Sequence, residues 1–225
     1  MALYLKIFNA MRIGIVCEGP SDAAVIINIL KGTTGLDSSN FVPILPVIDN
    51  TSKAHLSPDT FSSWTVVLKE CTEKKKILPF LGQRDSTHLV IQIDTAEAND
   101  YGIDYPNLDD PEYCLELRGR VIEKIAGMLG EEIHKITLYA IAIHEIDSWV
   151  LTIFEQDKNC FIKDSKKQLQ KTLYKQKIAY KEGFKNYLAY SDDFRNSNKT
   201  RKRKYLECNC SLRLFWEETE SKFNQ

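Results

Sequence analysis

Three acidic residues in this chain stand where a carboxylate can do chemistry. Glu18, Asp94 and Glu145 each follow an apolar run, residues 13–17, 87–93 and 135–143, and each begins or enters a polar loop. One such residue reflects only the usual polarity of loops. Three consecutive strand ends in the same register favour function. In a parallel sheet those ends share one edge, so acids remote in sequence converge there. Clustered carboxylates repel one another and raise each other's pKa unless a cation is bound. Their hard oxygen atoms select Mg²⁺, Mn²⁺ or Ca²⁺ over zinc. A carboxylate-held Mg²⁺ polarises a phosphate, activates water and stabilises a leaving oxygen, and a pair about 4 Å apart does all three.

The elements that must position these acids follow from the spacing of apolar residues. Residues 12–30, RIGIVCEGPSDAAVIINIL, read as a strand, a tight turn and a helix. Gly19 frees the turn, Pro20 stiffens it, and Ser21 or Asp22 caps the helix. Residues 41–48 form a second strand, whose two prolines cannot donate ladder bonds and so belong at or near a sheet edge. Ser57 and Pro58 predict a helix running to about residue 75 that buries Phe61, Trp64, Val67 and Leu68. Asp109, Asp110 and Pro111 start another, with Leu115, Leu117, Val121, Ile122, Ile125 and Leu129 on its buried face.

The run 135–143 is almost continuously apolar, as expected of a strand covered on both faces. Ile146, Trp149, Val150 and Ile153 then follow at helical spacing, with Glu145 in the first turn, aimed away from the core. Strand and helix alternate four times. This predicts an α/β fold with a mostly parallel four-stranded sheet between helices. Residues 163–184 and 205–223 also read as helices. The expected organisation is an α/β unit over residues 1–155 and a basic helical extension over residues 156–225, packed on it.

Charge divides the chain in the same way. Residues 1–150 hold 13 Lys and Arg against 21 Asp and Glu, and residues 151–225 hold 17 against 10. Lys199, Arg201, Lys202, Arg203 and Lys204, with Tyr180, Tyr187, Tyr190 and Tyr205 nearby, form a candidate surface for a phosphate backbone and stacked bases. A solvated Lys-rich helical region explains them equally well. His144 either positions a phosphate or water or bonds to a neighbouring carboxylate. No Walker-type phosphate loop is present, which argues against an NTPase. No apolar run is long enough to span a membrane. Residues 1–11 lack a basic leader and a cleavage site, and read as an edge strand or as dispensable leader before Met11. The six cysteines are scattered without zinc-ligand spacing, so reduced thiols in the cytoplasm are expected.

These residues carry a family resemblance. Glu18-Gly19-Pro20-Ser21-Asp22 after a strand resembles the glutamate motif of Toprim domains, shared by topoisomerases, primases, ribonuclease maturases and overcoming-lysogenization-defect nucleases. In that family the Glu serves acid/base or metal chemistry, and a later strand ends in an Asp-x-Asp metal motif. Asp94 matches the first Asp, whereas Ala96 stands at the second, so Glu97 or Asp100 must take over or only one metal binds tightly. His144-Glu145-Ile146-Asp147-Ser148-Trp149 resembles the Glu-Ile-Glu-Ala-Trp signature of a small Toprim-like bacterial family often found among mobile or phage-defence genes. Asp147 stands at its second Glu.

The resemblance covers residues 12 to about 155. It implies a Mg²⁺- or Mn²⁺-dependent nuclease acting on DNA or RNA. Glu18, Asp94 and Glu145 would be catalytic, Glu97 or Asp100 would help hold metal, and Asp22 would orient the turn or a second metal. Such nucleases often work as homodimers or with an ATPase. The rival reading is a non-catalytic or partner-dependent Toprim-fold module of an ATPase-containing defence complex. A third is an enzyme acting on nucleotides rather than polymers.

Overall fold

Alternation of apolar runs with helical stretches produces the architecture it predicts. A computed structural model describes residues 11–47, 63–110, 112–156 and 163–223. Four strands, β1 (Arg12–Val16), β2 (Phe41–Leu45), β3 (Ser86–Asp94) and β4 (Thr137–Ala142), form one sheet. Its order is β2-β1-β3-β4, and every pairing is parallel. The proline-bearing strand β2 lies at the edge, where Pro43 leaves no central ladder bond unmade. Among the described residues no helix is long and apolar enough to cross a membrane.

Side chains alternate across each strand, so each sheet face builds its own core. On one face Ile13, Ile15, Val90, Leu138 and Ala140 pack under α1 (Pro20–Thr34) and α6 (Asp147–Phe154). On the other, Leu89, Ile91, Ile93, Tyr139 and Ile141 pack under α2 (Trp64–Glu73), α3 (Ile77–Leu81) and α4 (Tyr113–Leu129). A short helix, α5 (Glu131–Lys135), leads into β4.

The chain after α6 closes the first face. It comprises α7 (Ser165–Lys175), α8 (Phe184–Tyr190), α9 (Ser197–Lys202), α10 (Tyr205–Cys208) and α11 (Cys210–Phe223). Leu169, Leu173, Phe194, Leu212, Phe215 and Trp216 join the same core as Ile13 and Trp149. Trp149 stacks on Phe215 at 5.7 Å, and its indole N–H donates to Ser211 Oγ at 2.8 Å. The segment is therefore continuous with the α/β body.

Several local expectations change. The helix ending at Glu73 stops because Lys74 takes a left-handed backbone, φ 55°. Trp64 is half-buried, against Tyr101. Leu115 is 47% exposed because the buried stripe of α4 runs through Cys114, Leu117, Val121 and Ile125, one position away. The helical stretch 163–184 divides into α7 and the start of α8, with left-handed Lys177 and Gly183 between them. The closing helix breaks at Asn209, whose side chain donates to Ser148 Oγ and accepts from Leu212 N. The predicted start at Ser57 and Pro58, Phe61, and the readings of residues 1–10, Ile48 and Pro111 lie outside the described residues.

One close approach fixes the C-terminal segment to α1. A Cβ on Gly32 would meet the Phe194 carbonyl oxygen at 2.0 Å. Gly32→Ala is expected to destabilise the fold by about 1–3 kcal/mol, read by chemical denaturation. An unchanged midpoint would show that the 192–195 turn does not pack on α1 as described.

Candidate functional site

The sheet order creates a crevice at one place. The chain leaves β1 for β2 on one side and later places β3 on the other, so the C-terminal ends of β1 and β3 flank the switch point where ligands bind in open α/β sheets. Glu18 and Asp94 stand at those two ends. They are joined directly, because Asp94 N donates to Glu18 Oε1 at 2.7 Å. The Trp64 N–H, at the start of α2, also donates to the Glu18 carboxylate. Glu18 N in turn donates to Gln92 Oε1 at 3.0 Å, while Gln92 Nε2 donates to Asp94 Oδ1 at 2.8 Å. Asp94 Oδ1 also accepts from Ile146 N at 3.1 Å. Four parts of the chain, the end of β1, the start of α2, β3 and the start of α6, are tied by two carboxylates and one buried amide.

Gln92 was not singled out from the sequence. It is wholly buried, and it lies two residues before Asp94, on the same face of β3. A polar residue inside an apolar strand, in phase with a terminal acid, is the signal that points to it.

The turn after β1 holds a further acid. Gly19 is the N-cap of α1, and Asp22 folds back so that its carboxylate accepts from the Gly19 N–H, half of a capping box. Ser21 does not cap the helix; its Oγ accepts from Gly183 N at 3.0 Å. Asp147, at the start of α6, accepts a hydrogen bond from the Tyr187 hydroxyl. Asp22 and Asp94 therefore each lie within electrostatic reach of both Glu18 and Asp147.

Glu145 is placed differently from its neighbours. Its Oε2 accepts from Ser165 Oγ at 2.9 Å and from Lys166 N at 3.0 Å, so it satisfies the N-terminus of α7. Glu97 is exposed but close enough to Glu18 to raise its proton affinity. Asp100 is exposed on the 98–101 turn and acts electrostatically on Tyr105.

The basic run sits elsewhere. Lys199 pairs with Asp193 and Arg201 with Glu220, while Lys204 lies 3.4 Å from Glu207. Asp193 belongs to the 192–195 turn that packs at the C-terminal end of α1, beside Gly32. That helix has 15 residues and is about 22 Å long, with the acidic turn at its other end. Tyr187, Tyr190 and Tyr205 are buried in the core, so they present no faces for base stacking. Lys166 acts on both Asp22 and Asp147 and pairs with Glu182 at 2.8 Å, while Lys163 acts on His144.

Burial dominates the proton affinities. It raises Glu18 to about 7, with Glu97 adding to the rise and the Asp94 and Trp64 amides opposing it. Burial, then repulsion from Glu18 and Asp147, holds Asp22 well above the usual carboxylate range. Asp94 is raised by burial and by Asp22, Glu18 and Asp147. Asp147 is pushed up to about 6 by burial, against the Tyr187 hydrogen bond. A divalent cation would relieve all four. The donors are oxygen only, as Mg²⁺ and Mn²⁺ require. Among the described residues, however, no three His, Cys, Asp or Glu side chains are already arranged around a metal position.

No protein-family model, curated protein or solved structure matches this chain.

The shifts have a stability consequence. With Glu18 raised from an ordinary 4.5 to about 7, the native state binds more protons than the unfolded chain across that window. Stability from this group is present below the window and is lost as pH rises through it. The metal-free protein is expected to melt lower at about pH 8 than at about pH 5, and Glu18→Gln should flatten that fall and melt higher at the alkaline end. A pH profile untouched by the substitution would show that Glu18 is not desolvated.

Proposed function

We propose that the chain is a Toprim-like nuclease that hydrolyses phosphodiester bonds in DNA or RNA with Mg²⁺ or Mn²⁺. The observation that carries this reading is the contact between Glu18 and Asp94 at the switch point, where Asp94 is also repelled by Asp22 and Asp147. Asp94 and Glu18, with Asp22 or Asp147 beside them, would hold the metal, which would polarise the phosphate and lower the pKa of a bound water. Glu18 would also carry the proton, taking it from the attacking water and returning it to the leaving oxygen.

Glu97 suits the part left open by Ala96 better than Asp100, because it acts on Glu18. Lys166 would meet the substrate backbone at this edge, and the 199–204 run would contact a more distant stretch of polymer. An effector role in phage defence belongs to the same proposal and rests on the 144–149 signature alone.

One observation favours a second reading. Ala96, together with the lack of a preformed three-ligand set among the described residues, suits a non-catalytic or partner-dependent module of an ATPase-containing complex. The two separate on metal.

Plasmid, single-stranded DNA and tRNA incubated with Mg²⁺ or Mn²⁺ are expected to reveal a cleaved polymer. Glu18→Gln and Asp94→Asn should each reduce its cleavage by about 10²-fold or more, while far-UV circular dichroism stays native. Absence of cutting, with no metal-induced rise in melting temperature, would favour the non-catalytic module.

A further inference from the structure

A cavity of about 870 Å³ opens beside the acidic edge, within the roughly 300–1,000 Å³ of small-molecule sites. Residues 96–97 and 144–145, which follow β3 and β4, form one side, and the 105–109 loop forms the other. Tyr105 anchors that loop by donating its hydroxyl proton to the Thr95 and Ala96 carbonyls, at 2.8 and 2.7 Å. The cavity is thus built on the same turn that carries Asp94.

Its lining suits an uncharged ring better than a phosphate. Tyr105, Pro106 and Leu108 supply apolar wall, and Leu108 is 54% exposed at the cavity. Among the described residues, Glu97, Asp109, Glu145 and Asp164 place four carboxylates around it against the one ammonium of Lys163. A free anion would be repelled, whereas a ring edge bearing N–H donors would be held.

His144 adds an independent sign of a missing ligand. It lines the cavity and is 8% exposed, and its Nε2 is buried with no hydrogen-bond partner among the described residues. A buried polar nitrogen left unpaired costs about 1–3 kcal/mol, so such atoms in native folds call for an explanation. The backbone at His144 is left-handed, φ 62°, a conformation uncommon for a non-glycine residue.

We infer that this cavity is a nucleobase pocket that holds a guanine next to the phosphodiester bond at the acidic edge. The inference rests on the nuclease reading of that edge. Guanine alone among the common bases presents two adjacent donors, N1–H and the N2 amino group, to one carboxylate. Its O6 and N7 acceptors complement the Lys163 ammonium and an Nε2–H on the neutral His144 ring. Uracil and thymine have no exocyclic amine to offer. The apolar wall takes the ring face, as aromatic side chains do in single-stranded nucleic-acid sites.

The probe is guanosine, titrated calorimetrically into the metal-free full chain. It is expected to bind saturably and about tenfold or more tighter than uridine, as one well-placed pair of base-edge hydrogen bonds allows. Leu108→Arg, a change at an exposed position, should fill the cavity and abolish binding with the melting temperature unchanged. His144→Asn tolerates the left-handed backbone and should weaken guanosine selectively. Equal affinity for the two nucleosides, no saturable binding, or guanosine binding that survives Leu108→Arg would overturn the pocket. Guanosine binding without metal-dependent cleavage would uphold the pocket and remove the nuclease reading; cleavage without guanosine binding would do the reverse.

Discussion

Desolvated negative charge at the switch point governs how the surrounding elements end. Asp22 and Asp94 are repelled by Glu18 and Asp147 in a partly buried space, and burial is the largest influence on each of the four. Such a cluster persists only if backbone amides and cations are aimed at it. The amides come from Gly19, Trp64, Asp94 and Ile146, four separate points of the chain. Those donations fix where α1 and α2 start and how the turns after β3 and β4 lie against each other. Thr95 completes the lacing: its Oγ1 accepts from His144 N, and the His144 carbonyl accepts from Thr95 and Ala96. The acids and the fold at this edge are one construction.

The C-terminal helices belong to that construction at both ends of α1. At the acidic end, Tyr187 donates to Asp147, Gly183 N donates to Ser21, and the first turn of α7 rests on Glu145. At the far end the 192–195 turn is pressed onto Gly32, and Asp193 gathers Lys199 and Tyr205. The charge asymmetry seen in the sequence therefore has a local use in ion pairs, as well as a net sign. Residues after 163 position the carboxylates by packing and hydrogen bonds, whatever they do toward a polyanion.

The sheet and its terminal acids were legible because both are local signals. An apolar run of strand length followed by a carboxylate can be read without knowing what it packs against, and parallel pairing then gathers the ends. What could not be read is long-range. Tyr187 finds Asp147 across 40 residues, and Ser165 finds Glu145 across 20. Which of Glu145 and Asp147 joins the buried acids depends on the turn at His144, where a left-handed residue redirects the chain. Helical spacing predicts Glu145 in a first turn, whereas α6 starts only at Asp147 and Glu145 instead caps the N-terminus of α7. The tyrosines near the basic run failed as stacking candidates for a related reason: composition counts aromatics, and only packing decides which faces remain open.

Ala96 sets the terms of any metal chemistry here. Under the proposed nuclease reading, a methyl group stands where the resembled motif has its second aspartate, and Glu18 and Asp94 already accept hydrogen bonds from backbone amides. A carboxylate oxygen bonded to an amide keeps lone pairs for a cation but loses freedom to move toward it. The resulting site would hold Mg²⁺ weakly until a phosphate supplies further oxygens. Metal and substrate would then bind as a coupled pair, each relieving a charge the other leaves uncompensated. A preformed three-ligand cage would remove that dependence, because the metal would already neutralise the carboxylates before any phosphate arrived.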